Sequence, residues 1–496
     1  MIQHCPVLIV LLPLTAALLC LLFSKFNKNL GSWLVIGSIA GSLACSLQVL
    51  HQTLTSGEAI HYWMGNWEPP LGIEFVIDPL SAVMAVLITF ISLMVAGYSK
   101  PFMRKEDWLH IGGYYTLYGL LTVGLCGMVI TGDMFNLYVY LEVMSLSGYG
   151  LIAMGGKKSM LAAFRYMLIG TIGASLYLIS VAYLYAMTGT LNMADLGERI
   201  MPYLSSPPFA LAVACLFIGF GIKMALFPLH GWQPDAYNFA HPGSAAFIAG
   251  VMSKVPAYAI IRFFFYIFGV NNPIISTALT VLGILGIGGV LIGSIMALAQ
   301  YDFRRMLAYS SVAQIGYIAI GLAIGNMYGF IGAVLHIINH AFMKSALFLV
   351  IGGIQYRFGE INLYRLGGLN KKMTLSTITV TLAALSMVGI PPTAGFFSKW
   401  YLMLGAYQGG QYFYIVILVI SSLLNAVYFF RILEQMFVQH EASLTEINRH
   451  EGKLGLPPEM AIPILCAGIG ILVLGFYSVD IVDDILKSGL PEVFLR

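Results

Sequence analysis

The hydrophobic positions of this chain run in long unbroken stretches, not in the three-and-four spacing of a helix lying on a water-soluble core. Fourteen stretches of mostly apolar residues follow one another along 496 residues. They cover 5–23, 31–50, 75–98, 112–130, 134–154, 161–186, 207–229, 244–268, 274–298, 306–324, 328–353, 374–396, 411–436 and 459–479. About 20 apolar residues carry an α-helix across a hydrocarbon layer of about 30 Å. The period-2 alternation of a membrane barrel strand is absent from them. Inside lipid every backbone N–H must be satisfied within its own segment, which leaves helices. The pattern predicts an all-α polytopic membrane protein with about 14 transmembrane helices.

The polar connections test that count. With the N-terminus placed outside, the connections after odd-numbered spans lie inside. These hold 15 basic residues: Lys25, Lys28, Lys100, Arg104, Lys105, Lys157, Lys158, Arg304, Arg305, Arg357, Arg365, Lys371, Lys372, Arg449 and Lys453. The outside connections hold Arg199, and the tail adds Lys487 and Arg496. Basic residues concentrate in cytoplasmic loops, so the asymmetry predicts both termini outside the cell's inner (cytoplasmic) membrane. No Lys or Arg precedes the first apolar run, which therefore reads as a retained helix and not a signal peptide. Only 9% of the residues are charged and 59% are hydrophobic, whereas a soluble domain carries about 25% charged residues. A net charge of +3 gives no footing for nucleic acid. The six cysteines stand singly, so neither a disulfide framework nor a thiolate metal site is expected. No cofactor motif is present.

The chain also repeats itself. Residues 138–150, YVYLEVMSLSGYG, echo 306–318, MLAYSSVAQIGYI, with a Gly-Tyr pair at 148–149 and again at 316–317, an offset of 168. Pro228 interrupts the seventh span and Pro391 with Pro392 the twelfth, an offset of 163. Five helices separate the copies, and an odd number inverts the second. Inverted repeats with paired broken helices mark transporters. The expected division is a three-helix segment at 1–111, five-helix repeats at 112–268 and 269–436, and a loop, last helix and tail at 437–496.

Seven ionisable residues interrupt these apolar stretches. A charge at the bilayer centre costs roughly 2.5–3.5 kcal/mol on insertion scales, so several in one chain point to ion or proton movement. Glu142 lies in the fifth span, Lys223 in the seventh, Lys254 in the eighth, and Lys399 follows the break in the twelfth. The eleventh, LHIINHAFMKSALFLV, places His336, His340 and Lys344 four residues apart. That spacing puts all three on one helix face, rising about 12 Å at about 1.5 Å per residue. Imidazole titrates near neutrality, and an ammonium taken out of water releases its proton more readily. The expected path pairs Glu142 with Lys223, passes a proton to Lys254, then along His340, His336 and Lys344 to Lys399. An HxxxH pair with no third ligand nearby does not make a metal site. Carbonyls freed at Pro228, Pro391 and Pro392 offer places for water or a cation.

At these residues the chain resembles the antiporter-like subunits of respiratory complex I and of Mrp-type sodium/proton antiporters. The likeness is carried by GDMFNLYVYLEV, KMALFPLHGWQPDAY, SKVPAYAIIR, HxxxHAxxKSxLF and PPxxGFFSKW. It implies fourteen helices, two inverted five-helix repeats and a proton path along Glu142, Lys223, Lys254, His336, His340, Lys344 and Lys399. The stretch GNWEPPLGIEFVIDPLSAVM is most similar to the Mrp D subunit or its membrane-bound hydrogenase counterpart. Lys399 departs from one complex I branch, which has glutamate there, and Pro256 departs from the family pattern. The short run after the last span predicts no long lateral helix. The resemblance implies a proton-translocating subunit of a multisubunit cation/proton antiporter, with other membrane subunits as partners and protons and sodium as cargo. The alternative is a proton-pumping subunit of a redox-driven hydrogenase or NADH-quinone oxidoreductase.

Overall fold

The computed structural model describes residues 2–359, 362–438 and 455–494. Arg449, Lys453 and Arg496, counted above among the loop and tail charges, lie outside the described residues. The fourteen predicted spans are built by sixteen helices and preceded by a small hairpin at the third. In chain order these are α1 (Cys5–Phe26), α2 (Leu30–Ser56), β1 (Ile60–Trp63), β2 (Glu74–Ile77), α3 (Pro79–Met103), α4 (Trp108–Ile130), α5 (Met134–Ala153) and α6 (Lys157–Thr188). There follow α7 (Pro207–Met224), α8 (Gln233–Phe239), α9 (Pro242–Ile267), α10 (Pro273–Leu298), α11 (Phe303–Ala323) and α12 (Met327–Phe358). The last are α13 (Thr374–Val388), α14 (Ala394–Gln408), α15 (Tyr412–Phe437) and α16 (Pro458–Phe476).

Twelve of these helices are long and apolar enough to cross a membrane by themselves. The two remaining predicted spans depart for local reasons. Helix α5 carries Asn136, Glu142, Ser145 and Ser147, which dilute its apolar content. The twelfth span is two 15-residue helices, α13 and α14, because the chain breaks over Gly389–Thr393. The seventh span breaks in the same way between α7 and α8.

The third span begins at Pro79, four residues later than the apolar pattern suggests. Residues Glu74–Ile77 pair antiparallel with Ile60–Trp63, Ile60 opposite Ile77 and Trp63 opposite Glu74. Apolarity by itself does not separate a short buried strand from a helix. What stops the helix is Asp78, whose extended backbone caps α3, its carboxylate accepting from the Ser81 amide at 2.8 Å with Pro79 at the first helical position. Both carboxylate oxygens of Asp78 also bind the Arg262 guanidinium of α9, at 2.5 Å each. This pair ties α3 to α9.

Burial by itself would raise the Asp78 carboxyl; Arg262 and the Ser81 amide outweigh it and hold the group below its ordinary value. Asp78→Ala is expected to destabilise the folded chain by about 3–5 kcal/mol, the cost of stranding one partner of a largely buried pair, read as a lower thermal midpoint in detergent. Because the carboxyl is depressed, its contribution is full above about pH 3.9 and is lost as pH falls from there through the folded value.

Nearly every residue along the apolar stretches of α9 and α12 is buried, which puts these helices at the centre, while only about a third are buried in α2 and α15, which form the flanks. All the charges of α9 and α12 singled out above are therefore held away from lipid. Close packing sets the remaining geometry: a Cβ on Gly316 would meet the Gly286 carbonyl at 2.6 Å, so α10 and α11 approach along their backbones. Small residues permit this in membranes, where tight packing replaces the hydrophobic effect as the force between helices.

Candidate proton pathway

Lys223 lies at the end of α7, just before the chain turns out of helical geometry at Ala225 (φ 61°). Its ammonium is fully buried and donates to Ser145 Oγ at 2.6 Å and Tyr149 OH at 3.2 Å, both on α5. Glu142 lies one turn before Ser145, partly buried. It is close enough for its charge to act on Lys223, Tyr149 and Tyr166. The expected direct ion pair is not formed: among the described ion pairs none joins Glu142 to Lys223. The ammonium meets the next turn of the same α5 face, roughly 4.5 Å further along the axis, where two hydroxyls accept its protons.

In the second broken helix the lysine follows the break instead of preceding it. Lys399 on α14 donates to the carbonyls of Met387 and Val388 at 2.9 and 3.0 Å and to Ser422 Oγ at 3.0 Å. Those carbonyls end α13, where the break at Gly389–Pro392 leaves them without helical donors. The donor to the freed carbonyls is the chain's own Lys399 side chain. At the first break the Ile222 carbonyl accepts from the indole N–H of Trp232 at 2.9 Å and from the Ala225 amide at 3.1 Å. Phe227–Pro228 and Pro391–Pro392 are both cis. Each lysine also faces the tyrosine of a Gly-Tyr pair, Lys223 at 5.6 Å from the Tyr149 ring and Lys399 at 4.8 Å from the Tyr317 ring. The helices bearing those tyrosines start alike, Asp133 bridging Asn192 and Asp302 bridging Asn362.

Between the two lysines lies the core of α9 and α12. The chain widens to a π-turn over Ile248–Met252 before Lys254 restarts the α-helix. Pro256 explains the turn: it has no N–H to bond four residues back, and its ring crowds the carbonyl there. Such turns occur often at functional sites. The Lys254 ammonium donates to the Ala249 carbonyl within this turn at 2.5 Å, and its charge acts on His336, His340 and Lys344. On α12, His336 bonds Ser398 Oγ through Nδ1 and Gln314 Oε1 through Nε2, both at 3.0 Å. The rings of His336 and His340 lie 6.0 Å apart, nearly parallel. Among the described residues neither nitrogen of the fully buried His340 has a hydrogen-bond partner.

Lys344 departs from the expected order. Its ammonium donates to the Leu307 carbonyl at 2.7 Å and to Ser310 on α11, away from α14. The neighbour of Lys399 is His336, through Tyr317, whose ring is 5.3 Å from the imidazole. Lys399, Tyr317, His336 and His340 thus follow at 4.8, 5.3 and 6.0 Å, with Lys254 and Lys344 beyond. Four residues of α12 separate each pair, so the ladder's two ends face different helices.

Sequence reading passed over the residues between Lys223 and Lys254. Tyr149 packs edge-on to Tyr166, whose buried hydroxyl has no protein partner, and Tyr166 stacks on Trp232 at 3.7 Å. Gln233 donates to Tyr237 OH at 3.0 Å, which reaches Ser253 Oγ at 3.5 Å, next to Lys254. The signal lay in HGWQPDAY, where Gln233 and Tyr237 are polar residues just past a break.

Paired broken helices and a buried row of ionisable side chains define a polytopic membrane protein of the antiporter-like class. The chain belongs to the NADH:quinone oxidoreductase/Mrp antiporter family, whose transmembrane model matches residues 131–425. The N-terminal model of NADH-ubiquinone oxidoreductase (complex I) chain 5 matches 63–110. The chain is 45% identical to the N subunit of NADH-quinone oxidoreductase from Desulforudis audaxviator, covering 99% of each chain. It is 31% identical to the Na(+)/H(+) antiporter D subunit of Alkalihalophilus pseudofirmus, over 99% of this chain and 98% of that one. A chain of the archaeal membrane-bound sulfane sulfur reductase superposes with a TM-score of 0.90 at 28% identity, covering 99% and 98%. A chain of the Mrp complex from Dietzia sp. DQ12-45-1b gives 0.86 at 26%, covering 99% and 97%.

Proposed function

We propose that this chain is the proton-translocating membrane subunit of a redox-driven complex of the NADH-quinone oxidoreductase type, embedded in the cytoplasmic membrane with both termini outside. The observation that carries the proton role is the buried row itself: ionisable or hydroxyl groups from one broken helix to the other, through the two most enclosed helices. Full-length 45% identity to an oxidoreductase N subunit favours the redox complex over the antiporter D subunit that the local motif put first. The other membrane subunits of that complex are its partners.

Lys223 holds a proton beside Ser145 and Tyr149 while Glu142, one turn away, is negative. When the Glu142 charge is neutralised or withdrawn, the ammonium loses its nearby counter-charge and releases the proton through Tyr166, Gln233 and Tyr237 to Lys254. From there it passes by His340 and His336 to Lys399. Steps of 5–6 Å are bridged by one ordered water, and the unpartnered nitrogens of His340 are groups that buried water serves. The two five-helix units supply one lysine-bearing break each. Lys344 is a side station charged by Lys254.

The test is the proton-to-electron ratio of the purified complex in sealed vesicles. Glu142→Gln removes the counter-charge and keeps the shape; the ratio is expected to fall several-fold, since each tenfold in rate needs only about 1.4 kcal/mol of added barrier. An unchanged ratio refutes the path. The second reading, sodium/proton exchange, rests on the full-length 31% similarity to an antiporter D subunit. It predicts that a sodium gradient by itself, with no electron donor, acidifies or alkalinises the vesicle lumen.

A further inference from the structure

Three connections on the basic face of the bundle meet at a cleft remote from the ionisable row. Lys28 lies between α1 and α2, Arg104 follows α3, and Glu459 is in the first turn of α16. Together with Asn29, Trp33, Lys100 and Tyr115 they line a cavity of about 360 Å³. Its charges do not cancel. Its lining holds Lys28, Lys100 and Arg104 against one carboxylate, Glu459, which is bound to Arg104 at 2.6 Å. Among the described residues Lys28 donates only to the Arg104 carbonyl, at 3.3 Å, and the Lys100 ammonium stands 3.3 Å from the centre of the Trp33 ring. Two ammonium groups are therefore held in place beside a cavity, with no carboxylate of their own among the described residues.

The position decides what anion fits. All the lining helix ends lie at one level of the bundle, and a tryptophan with two lysines there is the composition of a membrane–water interface. On α1 and α2 the cleft borders outward-facing apolar side chains: Phe26, Leu30 and Trp33 are 77%, 45% and 57% exposed. Apolar surface running down from a cationic cleft suits acyl chains below a phosphate. Basic pockets between transmembrane helices on the cytoplasmic side bind anionic headgroups in this manner.

We propose that this cleft binds the headgroup phosphate of an anionic phospholipid, with Lys28 and Lys100 as its ligands and Trp33 holding Lys100 in position. The lipid fastens α1 and α2 to α3, α4 and α16.

The experiment uses the whole complex, purified in mild detergent, exchanged into bilayer discs of phosphatidylcholine with one-tenth phosphatidylglycerol, and stripped again. Retained phosphatidylglycerol is counted by native mass spectrometry. The wild type is expected to retain it in excess over phosphatidylcholine. The Lys28→Gln/Lys100→Gln double variant retains roughly tenfold less, since each basic group near an anionic lipid surface adds to binding, and Lys28→Arg/Lys100→Arg restores it. Proton translocation by the double variant assayed in soybean lipid stays at the wild-type level, because neither lysine belongs to the row. Equal retention by wild type and double variant overturns the proposal. So does displacement of the lipid by millimolar inorganic phosphate, which assigns the cleft to a free anion, and so does a neighbouring subunit's carboxylate cross-linked to Lys100.

Discussion

Lys223→Arg is expected to leave an assembled, stable complex that does not translocate protons. The guanidinium supplies the same positive charge and more donors for Ser145 Oγ and Tyr149 OH, which now receive the Lys223 ammonium at 2.6 and 3.2 Å. What it lacks is a proton it can give up, since its pKa exceeds about 12 and it stays charged in proteins. If Lys223 served only to anchor α7 against α5, arginine would do as well or better. If it carries the proton, arginine blocks the row as completely as alanine does, and the rate falls by more than about tenfold, the factor that 1.4 kcal/mol of barrier produces. Quinone-driven acidification of vesicle lumens, measured beside the detergent melting midpoint, separates the two. A normal midpoint with lost acidification supports the row; preserved acidification rejects a proton-carrying Lys223.

The second large effect is at Lys399, where two roles coincide. Lys399→Ala removes the donor to two carbonyls that the α13–α14 break exposes, Met387 and Val388, and to Ser422 Oγ. The Met387 carbonyl keeps the Asn425 amide at 3.4 Å, so Val388 is the one left without a donor; such a carbonyl costs about 1–3 kcal/mol, and that stability goes together with proton transfer. Lys399→Gln separates these roles. Its amide has two N–H donors and restores most of the stability, yet it cannot cycle a proton, so translocation stays lost. Recovery of both by glutamine makes Lys399 a structural cap and ends the row at His336.

These expectations show how much the sequence made legible. The spans, the two breaks and the costly charges are local properties: a run of 20 apolar residues, a proline inside it or a lysine in its middle is visible without knowing any neighbour. The Gly-Tyr repeat was legible for the same reason, although its meaning, a ring beside each buried lysine, was not. The strand at Glu74–Ile77 was misjudged because its three apolar residues, Phe75 to Ile77, satisfy helix and strand equally, and the Asp78 cap that decides between them is fastened by Arg262, 184 residues away.

By itself, then, the chain determined a fourteen-span membrane protein with inward charges and two interrupted helices, because lipid leaves a charged or broken helix few alternatives. Only the tertiary structure decided which groups meet. Glu142 stands one turn short of an ion pair with Lys223, His336 rather than Lys344 neighbours Lys399, and Lys399 caps the break that precedes it. Which neighbour a side chain finds depends on the rotation and axial offset of packed helices, fixed by close approaches such as Gly286 to Gly316 and invisible in a pattern of apolar and polar residues.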